Sequence, residues 1–272
     1  MYNQNMSIVS LNNLLNLSGK TAIVTGGAAG IGLGIVQRLG EAGANVVIAD
    51  YNQQETGKVL KELLPLKLNL KTVITDVSSE SDVKNLVKET VIAFGSIDIL
   101  VNNAGIFPVV PLSSLTAQDF EKIINVNLKG VVLCAKYVSE QMIKQGKGGR
   151  IINITSIDAL HPSMVGLAIY DASKHGVWGF TKNIALELAP HKIWVNAIAP
   201  GGINTPGAQK MQTPATAGTN EKISIADPMA GVPMHRMGEP DEIGKVALFL
   251  ASDMSSYMTG SQIVVDGGFL LK

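Results

Sequence analysis

Short runs of apolar residues alternate with longer segments in which apolar residues recur at helical spacing, from Thr21 almost to the end of the chain. The short runs are apolar at consecutive positions rather than at every second one, which is typical of strands buried on both faces of a parallel sheet. They predict seven strands: 21–25, 45–50, 71–76, 97–102, 150–155, 193–198 and 262–265. The longer segments predict helices around 31–42, 53–63, 80–94, 117–145, 168–189 and 240–252. This alternation predicts an α/β fold with a doubly wound, seven-stranded parallel sheet.

No linker separates these units, so we expect a single domain over residues 17–272, preceded by an N-terminal extension over 1–16. One region, 203–238, breaks the alternation, since it contains four prolines and has no clear period. A long irregular insertion in a compact domain is usually functional or mobile. This one follows the carboxyl end of a strand, the side on which open α/β sheets bind ligands. We therefore predict an irregular substrate lid at 203–238, with a plain surface excursion as the alternative.

The charge balance excludes some kinds of partner. The chain has 22 Lys and Arg residues against 22 Asp and Glu, so its formal net charge is zero. A neutral chain has no broad positive field to attract nucleic acids or an anionic membrane. The N-terminal residues lack the features of a secretory signal, and no stretch reaches the ~18 apolar residues of a membrane helix. We therefore expect a cytoplasmic protein with a small-molecule substrate, no nucleic acid and no membrane.

The residue types that bind metals or form disulfides are sparse. The single cysteine, Cys134, lies in an apolar run and is expected to be a buried, inert thiol. The four histidines show no ligand spacing with acids or with the cysteine, so no metal site is predicted.

A glycine-rich turn follows the first predicted strand. Residues 25–32 read Thr-Gly-Gly-Ala-Ala-Gly-Ile-Gly, and a helix begins at their end. Glycines permit a tight turn and a close approach of the backbone to a pyrophosphate, which the free N–H groups of the helix then bind. Such a string alone is a weak signal, but its place at the first strand-to-helix junction favours nucleotide binding over a structural turn. The candidate contacts are Gly26, Ala29, Gly30, Ile31 and Gly32.

Asp50 ends the second predicted strand, 18 residues after Gly32. A carboxylate there accepts hydrogen bonds from the ribose hydroxyls of NAD and repels the 2′-phosphate of NADP. Neither residues 51–54 nor the glycine-rich turn supply a Lys or Arg to bind that phosphate. The sequence therefore predicts NAD as the cofactor, with an ordinary solvated Asp at a strand end as the alternative.

Two further strand ends carry polar or small residues. The third strand ends at Asp76-Val77, where Asp76 is a candidate partner for the adenine amino group. The fourth ends at 102–105, Asn-Asn-Ala-Gly, where Asn103, Ala104 and Gly105 are candidates to line the cofactor cleft. Asp and Asn-Gly combinations also end strands routinely, so the structural explanation stays open for both.

Three residues suggest proton-transfer chemistry. Ser156 follows the fifth predicted strand, and Tyr170 and Lys174 share one face of the next helix through their i,i+4 spacing. A free tyrosine has a pKa near ~10, so it acts as a base near neutral pH only if its phenolate is stabilised. A neighbouring ammonium provides that stabilisation. Together with the glycine-rich turn and Asp50, the spacing favours a catalytic set over an ordinary amphipathic surface.

With these motifs in place, the chain resembles the short-chain dehydrogenase/reductase family from about Leu17 to Gly268. The matching motifs are residues 25–32, Asp76, 102–105, Asn127, Ser156, Tyr170 with Lys174, and Pro200-Gly201. The resemblance implies a Rossmann fold with a seven-stranded parallel sheet, and hydride transfer at the nicotinamide C4.

The resemblance also implies a role for each catalytic residue. Tyr170 would be the general acid and base, and Ser156 would hydrogen-bond the substrate oxygen. Lys174 would lower the pKa of Tyr170 and bind the nicotinamide ribose. Asn127, the first residue of the Asn-x-x-Gly motif that Gly130 completes, would position a water for proton relay, with Asn125 as a nearby rival. Contacts with the nicotinamide end are expected from Pro200, Gly201, Ile203 and Thr205.

The substrate is less well defined. Ser156 precedes Tyr170 by 14 positions, one more than is commonest in the family, and the extra residue falls in the loop 158–166. There Asp158 and His161 are candidates to bind the hydroxyl groups of a sugar or polyol, with solvated loop residues as the alternative. Met164, Phe107 and Asn204 are the remaining residues placed near the substrate.

The chain is similar to sugar and polyol dehydrogenases, so the leading interpretation is an NAD-dependent oxidoreductase of a secondary alcohol. One alternative is a 3-oxoacyl-carrier-protein reductase, which usually prefers NADPH and carries basic patches; neither feature is evident in the sequence. A non-catalytic NAD-binding sensor is the other, but it would be expected to lack part of the catalytic set.

The family resemblance further implies a homotetramer. The segments 117–145 and 168–189 would pair across one interface and residues 260–268 across another. Alternatively, these apolar faces simply cover the sheet.

Overall fold

A computed structural model describes residues 9–211 and 231–271 of the chain. Seven parallel strands form one sheet in the order β3-β2-β1-β4-β5-β6-β7. The strands are β1 Thr21–Thr25, β2 Asn45–Asp50, β3 Leu70–Ile74, β4 Ile99–Asn102, β5 Gly149–Ile154, β6 Ile193–Pro200 and β7 Gln262–Val265. The predicted doubly wound parallel sheet is therefore confirmed.

The strand order places a topological switch between β1 and β4. After β1 the chain moves outward through β2 to β3, and it then crosses back to pair β4 with the other edge of β1. Helices that leave adjacent strands on opposite faces open a crevice at the carboxyl edge of the sheet. The glycine-rich turn follows β1 and the segment 102–105 follows β4, so both meet at this crevice.

Helices cover both faces of the sheet. They are α1 Leu11–Leu15, α2 Gly30–Glu41, α3 Gln53–Leu63, α4 Glu80–Phe94, α5 Ala117–Ile124, α6 Gly130–Gln145, α7 Ala168–Leu188, α8 Pro206–Met211 and α9 Pro240–Ala251. One core lies between the sheet and helices α2, α3 and α9, and it includes Val24, Ile35 and Leu250. The other lies between the sheet and α4, α6 and α7, where Met142 packs near Ile23. Burial on both faces explains why the strands are apolar at consecutive positions.

The predicted continuous helix 117–145 is wrong in one detail. Residues Asn125–Lys129 form a π-helical turn between α5 and α6, and the Gly130 N–H donates to the Asn125 carbonyl oxygen. The wider turn inserts an extra residue into the helical path. Apolar periodicity does not reveal it, because the flanking segments each keep an ordinary helical pattern.

The region predicted to be an irregular lid contains a regular element at its start. Pro206–Met211 is the helix α8, and the Thr205 hydroxyl accepts a hydrogen bond from the Ala208 N–H at 3.1 Å. Ile203 forms an isolated parallel bridge with Gly238, which holds the two ends of the region together. The central part of the predicted lid, 212–230, lies outside the described residues.

The predicted N-terminal extension also contains a short helix. Ser10 caps α1 by accepting a hydrogen bond from the Asn13 N–H, and α1 lies against the turn Asp253–Ser255. Residues 1–8 of the extension lie outside the described residues. None of the described helices is both long and apolar enough to cross a membrane.

Candidate active site

The glycine-rich turn is held tightly against the end of β4. The Asn103 side-chain amide donates hydrogen bonds to the carbonyl oxygens of Thr25 and Gly26, at 2.9 and 3.0 Å. A Cβ atom on Gly26 would lie 2.9 Å from the Ala104 Cα, and one on Gly32 would lie 2.1 Å from the Gly26 carbonyl oxygen. Gly26 also has a φ of 63°, in the left-handed region that favours glycine. The turn thus needs glycine for both conformation and packing.

The helix that follows this turn presents an uncapped N-terminus. Ala29 is its N-cap residue, and no side chain accepts a hydrogen bond there from the first helical N–H groups. Free N–H groups and the positive end of the helix dipole form an anion site. Gly30 and Ile31 begin the helix, so these residues fit the pyrophosphate of a dinucleotide.

Asp50 lies beside the same turn at the carboxyl end of β2. It is buried and accepts hydrogen bonds from the Ala28 N–H at 3.2 Å and the Asn52 N–H at 3.0 Å. Each carboxylate oxygen accepts more than one hydrogen bond, so both keep acceptor capacity for ribose hydroxyls. The two backbone contacts fix its negative charge beside the glycine-rich turn.

Asp76 and Val77 lie further out along the cleft. Asp76 is exposed, and one of its oxygens accepts hydrogen bonds from the Ser78 N–H and hydroxyl at 2.9 and 2.7 Å. Val77 is buried, and a Cβ atom on Gly130 would lie 2.7 Å from one of its methyl groups. Asp76 therefore stabilises a local turn after β3, which is the structural role that the sequence left open for it.

Asn127 occupies the π-helical turn and is completely buried. Its side-chain oxygen accepts a hydrogen bond from the Ile106 N–H at 2.8 Å, and its amide donates to the Ile106 carbonyl at 2.8 Å. The same amide donates to the Ser173 hydroxyl at 3.1 Å, which ties the π-helical turn to α7. Because a Cβ atom on Gly105 would lie 3.4 Å from the Asn127 oxygen and 3.6 Å from Lys174 Nζ, these three residues meet.

Lys174 is buried under the cleft, and its Nζ donates to the Ile154 carbonyl oxygen at 2.8 Å. Burial lowers the pKa of Lys174 to about 8, and the charge of Asp158 opposes this change. The ammonium lies 5.6 Å from the centre of the Tyr170 ring, so one helical turn brings the pair together as the spacing predicts.

Tyr170 is partly buried at the start of α7, where the Phe107 ring packs edge-on against it at 6.1 Å. Burial raises the pKa of the Tyr170 hydroxyl; a hydrogen bond with Ser156 opposes this, while the charges of Asp158 and Asp171 add to it. A neutral phenol is therefore favoured when only the protein surrounds it.

Ser156 faces Tyr170 from the end of β5. It caps the short turn Ile157–Ala159, and its hydroxyl donates to the Asp158 carboxylate at 2.7 Å. The sequence made Asp158 a candidate to bind substrate hydroxyls, with a solvated loop residue as the alternative. In the structure Asp158 is buried, and its carboxylate accepts hydrogen bonds from the Ser156 hydroxyl and the Ser163 N–H. His161, its predicted companion, is exposed.

Asp171 was missed by the sequence analysis. One of its carboxylate oxygens is buried and has no hydrogen-bond partner within the described structure. Burial, together with the charge of Asp158, raises the pKa of Asp171 to about 6, while His175 opposes the rise. The sequence feature that could have identified Asp171 is its position directly after Tyr170.

The residues expected at the nicotinamide end lie around the end of β6. The Gly201 N–H donates to the Val265 carbonyl oxygen at 2.9 Å, and Ile203 is buried. Thr205 lies across the glycine-rich turn, since a Cβ atom on Gly30 would be 3.1 Å from its methyl group. Pro200 ends the strand itself. The structure thus brings this segment together with the start of α2.

The sequence analysis also made predictions about the cysteine and about metal binding. Cys134 is buried, which confirms the expectation, and burial raises its pKa to about 12. Within 9–211 and 231–271, no group of three or more His, Cys, Asp and Glu residues could hold a metal ion.

The chain is similar in sequence and in fold to known reductases and dehydrogenases. The family described as enoyl-(acyl carrier protein) reductase matches residues 26–270. The chain is 38% identical over 257 residues to the 3-oxoacyl-acyl-carrier-protein reductase FabG of Thermotoga maritima, covering 94% of this chain and 100% of that one. It is also 38% identical over 254 residues to 3beta-hydroxysteroid dehydrogenase 2 of Eggerthella lenta, covering 93% and 95% of the two chains. A crystal structure of a short-chain type dehydrogenase/reductase from Mycobacterium marinum matches with a TM-score of 0.88 and 34% identity, covering 97% and 100%.

Proposed function

The chain belongs to the short-chain dehydrogenase/reductase family, and from that premise we propose that it interconverts a secondary alcohol and its ketone with NAD(H). The observation that carries the proposal is the cluster of Ser156, Tyr170 and Lys174 at the carboxyl edge of the sheet, beside the glycine-rich turn. When bound, NAD supplies or accepts the hydride. The protein supplies the binding site and handles the proton.

Each side chain of the cluster has one task in this proposal. Tyr170 acts as general acid and base on the substrate oxygen, which Ser156 holds by a hydrogen bond. The ammonium of Lys174, 5.6 Å from the centre of the Tyr170 ring, favours the phenolate when it carries its proton. Lys174 also binds the nicotinamide ribose, and Asn127 positions a water that passes protons between Lys174 and solvent.

Asp50 supports NAD rather than NADP as the cofactor. Its carboxylate is fixed beside the uncapped start of α2, where the ribose of the adenosine half would lie.

Catalytic efficiency should therefore be much higher with NAD than with NADP. Asp50→Ala should reduce the ratio of the two catalytic efficiencies by about 10-fold or more. The substitution removes the hydrogen bonds to the ribose of NAD, and it also removes the repulsion of the 2′-phosphate of NADP. Equal efficiency with the two cofactors in the unsubstituted protein would refute the assignment. Asp76→Ala is the control, because its predicted partner, the adenine, is the same in NAD and NADP, so the preference between them should not change.

The charges around Tyr170 favour an uncharged substrate such as a sugar or polyol. Asp158 and Asp171 both act on Tyr170, so an anionic group placed there would be repelled. Formation of NADH with a panel of sugars, polyols and simple secondary alcohols tests this preference. Turnover restricted to acidic substrates would contradict it.

A second candidate is reduction of a 3-oxoacyl group attached to a carrier protein. The identity to the Thermotoga maritima reductase favours it. Assaying a 3-oxoacyl thioester with NADPH and with NADH distinguishes the two functions. Tight NAD binding without turnover of any substrate would instead indicate a non-catalytic sensor.

A further inference from the structure

The ring of Phe107 contacts both Tyr170 and helix α8. Its centre lies 6.1 Å from the centre of the Tyr170 ring, and the two ring planes meet at 68°. The tip of the ring points at α8, since a Cβ atom on Gly207 would lie 2.8 Å from the Phe107 Cζ. Any larger residue at 207 would therefore displace the ring. Phe107 thus bridges the start of α7 and the helix that follows β6.

The backbone that carries Phe107 is held on both sides of this residue. Before it, the Ile106 N–H donates to the side-chain oxygen of Asn127, and the Asn127 amide donates to the Ile106 carbonyl, both at 2.8 Å. After it, the Val110 N–H donates to the Gly166 carbonyl oxygen at 2.8 Å. A packed ring on a fixed backbone has little room to move aside. Phe107 is therefore a rigid part of the site.

The position of this ring matters for the groups attached to the reacting carbon. In the proposed function the Tyr170 hydroxyl exchanges a proton with the substrate oxygen over ~3 Å. The reacting carbon is bonded to that oxygen, so its two carbon substituents extend across the surface around Tyr170. Phe107 occupies part of that surface. Its ring carries only C–H groups at the edge, so this part of the wall is apolar and offers no hydrogen bond.

We propose that Phe107 is a specificity-determining residue that limits one substituent on the reacting carbon to a small apolar group such as methyl. The inference rests on the proposed function and narrows it, from secondary alcohols in general to those with one small apolar substituent. Among sugars and polyols it favours deoxy compounds with a methyl group next to the reacting carbon. Because a packed wall yields little, each further methylene on that side should lower catalytic efficiency by about 10-fold.

Two homologous alcohols test this limit. One carries a methyl and a propyl group on the reacting carbon, and the other carries two propyl groups. From the rate of NADH formation at saturating NAD, kcat/KM should be at least about 10-fold higher for the methyl compound. Phe107→Ala should raise kcat/KM for the dipropyl compound by about 10-fold and change that for the methyl compound by less than about threefold. Leu112→Ala, in the same loop but 79% exposed, should change neither value.

The ratio between the two alcohols separates specificity from a merely structural role. A loss of structure in F107A would lower both efficiencies alike. Such a parallel change, or equal efficiency with the two alcohols in the unsubstituted enzyme, would overturn the proposal. If F107A does not bind NADH, Phe107→Leu replaces it, because leucine keeps an apolar side chain against α8. The ratio should then change in the same direction by about threefold.

A double-mutant cycle with Gly207→Ala tests the contact with α8. The added methyl group displaces the ring and should lower kcat/KM for the methyl compound by about threefold or more. In the F107A background the same substitution should have an effect of less than about twofold, because the ring that it displaces is absent. Gly57→Ala is the control, since a Cβ atom there meets nothing within 4 Å. Equal effects of G207A in both backgrounds would contradict the role of the ring.

Hydrogen exchange gives a readout that needs no substrate. The Ala208 and Gln209 N–H groups donate to the hydroxyl and the carbonyl oxygen of Thr205 at the start of α8. F107A should accelerate their exchange by about 10-fold, because it removes the ring that supports the helix. Unchanged exchange would overturn the proposal even if alcohols are oxidised. If no variant oxidises any alcohol while exchange is accelerated, the proposed function fails and the size limit falls with it.

Discussion

At the scale of single residues, burial opposes the charged forms of both members of the Tyr170–Lys174 pair. It raises the pKa of Tyr170 and lowers that of Lys174 to about 8. The ordinary order of these two groups, with lysine slightly more basic than tyrosine, is thereby reversed. Both changes favour the neutral forms, so in the proposed mechanism the ionisation of Tyr170 depends on what binds beside it.

Replacing Tyr170 by Phe removes the proton donor and acceptor while keeping the ring against Phe107. We expect kcat to fall by about 10²–10⁴, the usual contribution of a general acid or base. NADH affinity should change little, as measured by fluorescence titration. Tyr257→Phe is the matched control, because that side chain is fully exposed. Turnover within a few-fold of the unsubstituted enzyme would refute the role of Tyr170.

Asp171 should make stability depend on pH. Its pKa in the folded protein is about 6, above the usual value near ~3.9, so the folded state binds the proton more tightly than the unfolded chain does. The resulting stabilisation is complete below about pH 4 and is lost as the pH rises through about 6. Asp171→Asn should therefore stabilise the protein above pH 6, by roughly 1 kcal/mol once solvent screening is allowed for.

Denaturant unfolding at pH 5 and pH 8 measures this effect, and the gain should be larger at pH 8. Glu187→Gln, at an exposed position of the same helix, should show no such pH dependence. A gain in D171N that is equal at the two pH values would show that the buried carboxyl is not its cause.

At the scale of elements, the close crossing of α2 and α9 supports the glycine-rich turn from behind. A Cβ atom on Gly34 would lie 2.6 Å from the Pro240 carbonyl carbon, and one on Gly244 would lie 2.5 Å from the Gly34 carbonyl oxygen. The backbones of α2 and α9 are thus in direct contact. Moving either helix away would disturb the core that the two helices share with β1.

Gly34→Ala should destabilise the protein by about 1–3 kcal/mol, the usual cost of overpacking a core. It should also weaken NAD binding, because α2 carries the N–H groups for the phosphates. Gly57→Ala is the matched control, since a Cβ there meets nothing within 4 Å, and it should stabilise α3 by up to about 1 kcal/mol. Thermal unfolding and NADH titration measure both effects, and equal stability of the two variants would contradict this account of the crossing.

The strands could be predicted from sequence to within two residues of their observed ends, because burial on both faces leaves continuous apolar runs such as residues 46–49 of β2. The pairing of Tyr170 with Lys174 followed from helical spacing in the same way. The π-helical turn around Asn127 could not be predicted, since it depends on bonds to Ile106 and Ser173 from distant segments.

The hydrogen bond between Ser156 and Asp158 could not be predicted from the sequence either. It needs the extended backbone of Ser156 and the short turn that follows, which no periodicity describes. Helix α8 was missed because six residues are too few to show a helical period. Local pattern thus predicts elements, while contacts between loops require the folded chain.

At the scale of the whole molecule, exposed apolar side chains support the predicted homotetramer. Phe120 on α5, Ile143 on α6 and Leu186 on α7 are 46%, 39% and 77% exposed, and all lie in the segments expected to pair. Leu186→Glu should shift the protein towards smaller species in sedimentation velocity, because it places charge in an apolar interface. Leu64→Glu, equally exposed but after α3, should leave the assembly unchanged. A monomeric unsubstituted protein at micromolar concentration would contradict the prediction.

The strand order has a consequence for synthesis on the ribosome. The central strand β1 emerges early, but its partner on one edge, β4, follows much later: the Thr25 hydroxyl donates to the Val101 carbonyl, 76 positions further along the chain. In that interval β1, β2 and β3 present an apolar, unpaired edge, which is the kind of surface that aggregates. The half of the site proposed to bind the dinucleotide is thus translated well before the half proposed to transfer the proton. Chains shortened to end between β3 and β4 should therefore aggregate more readily than the full chain.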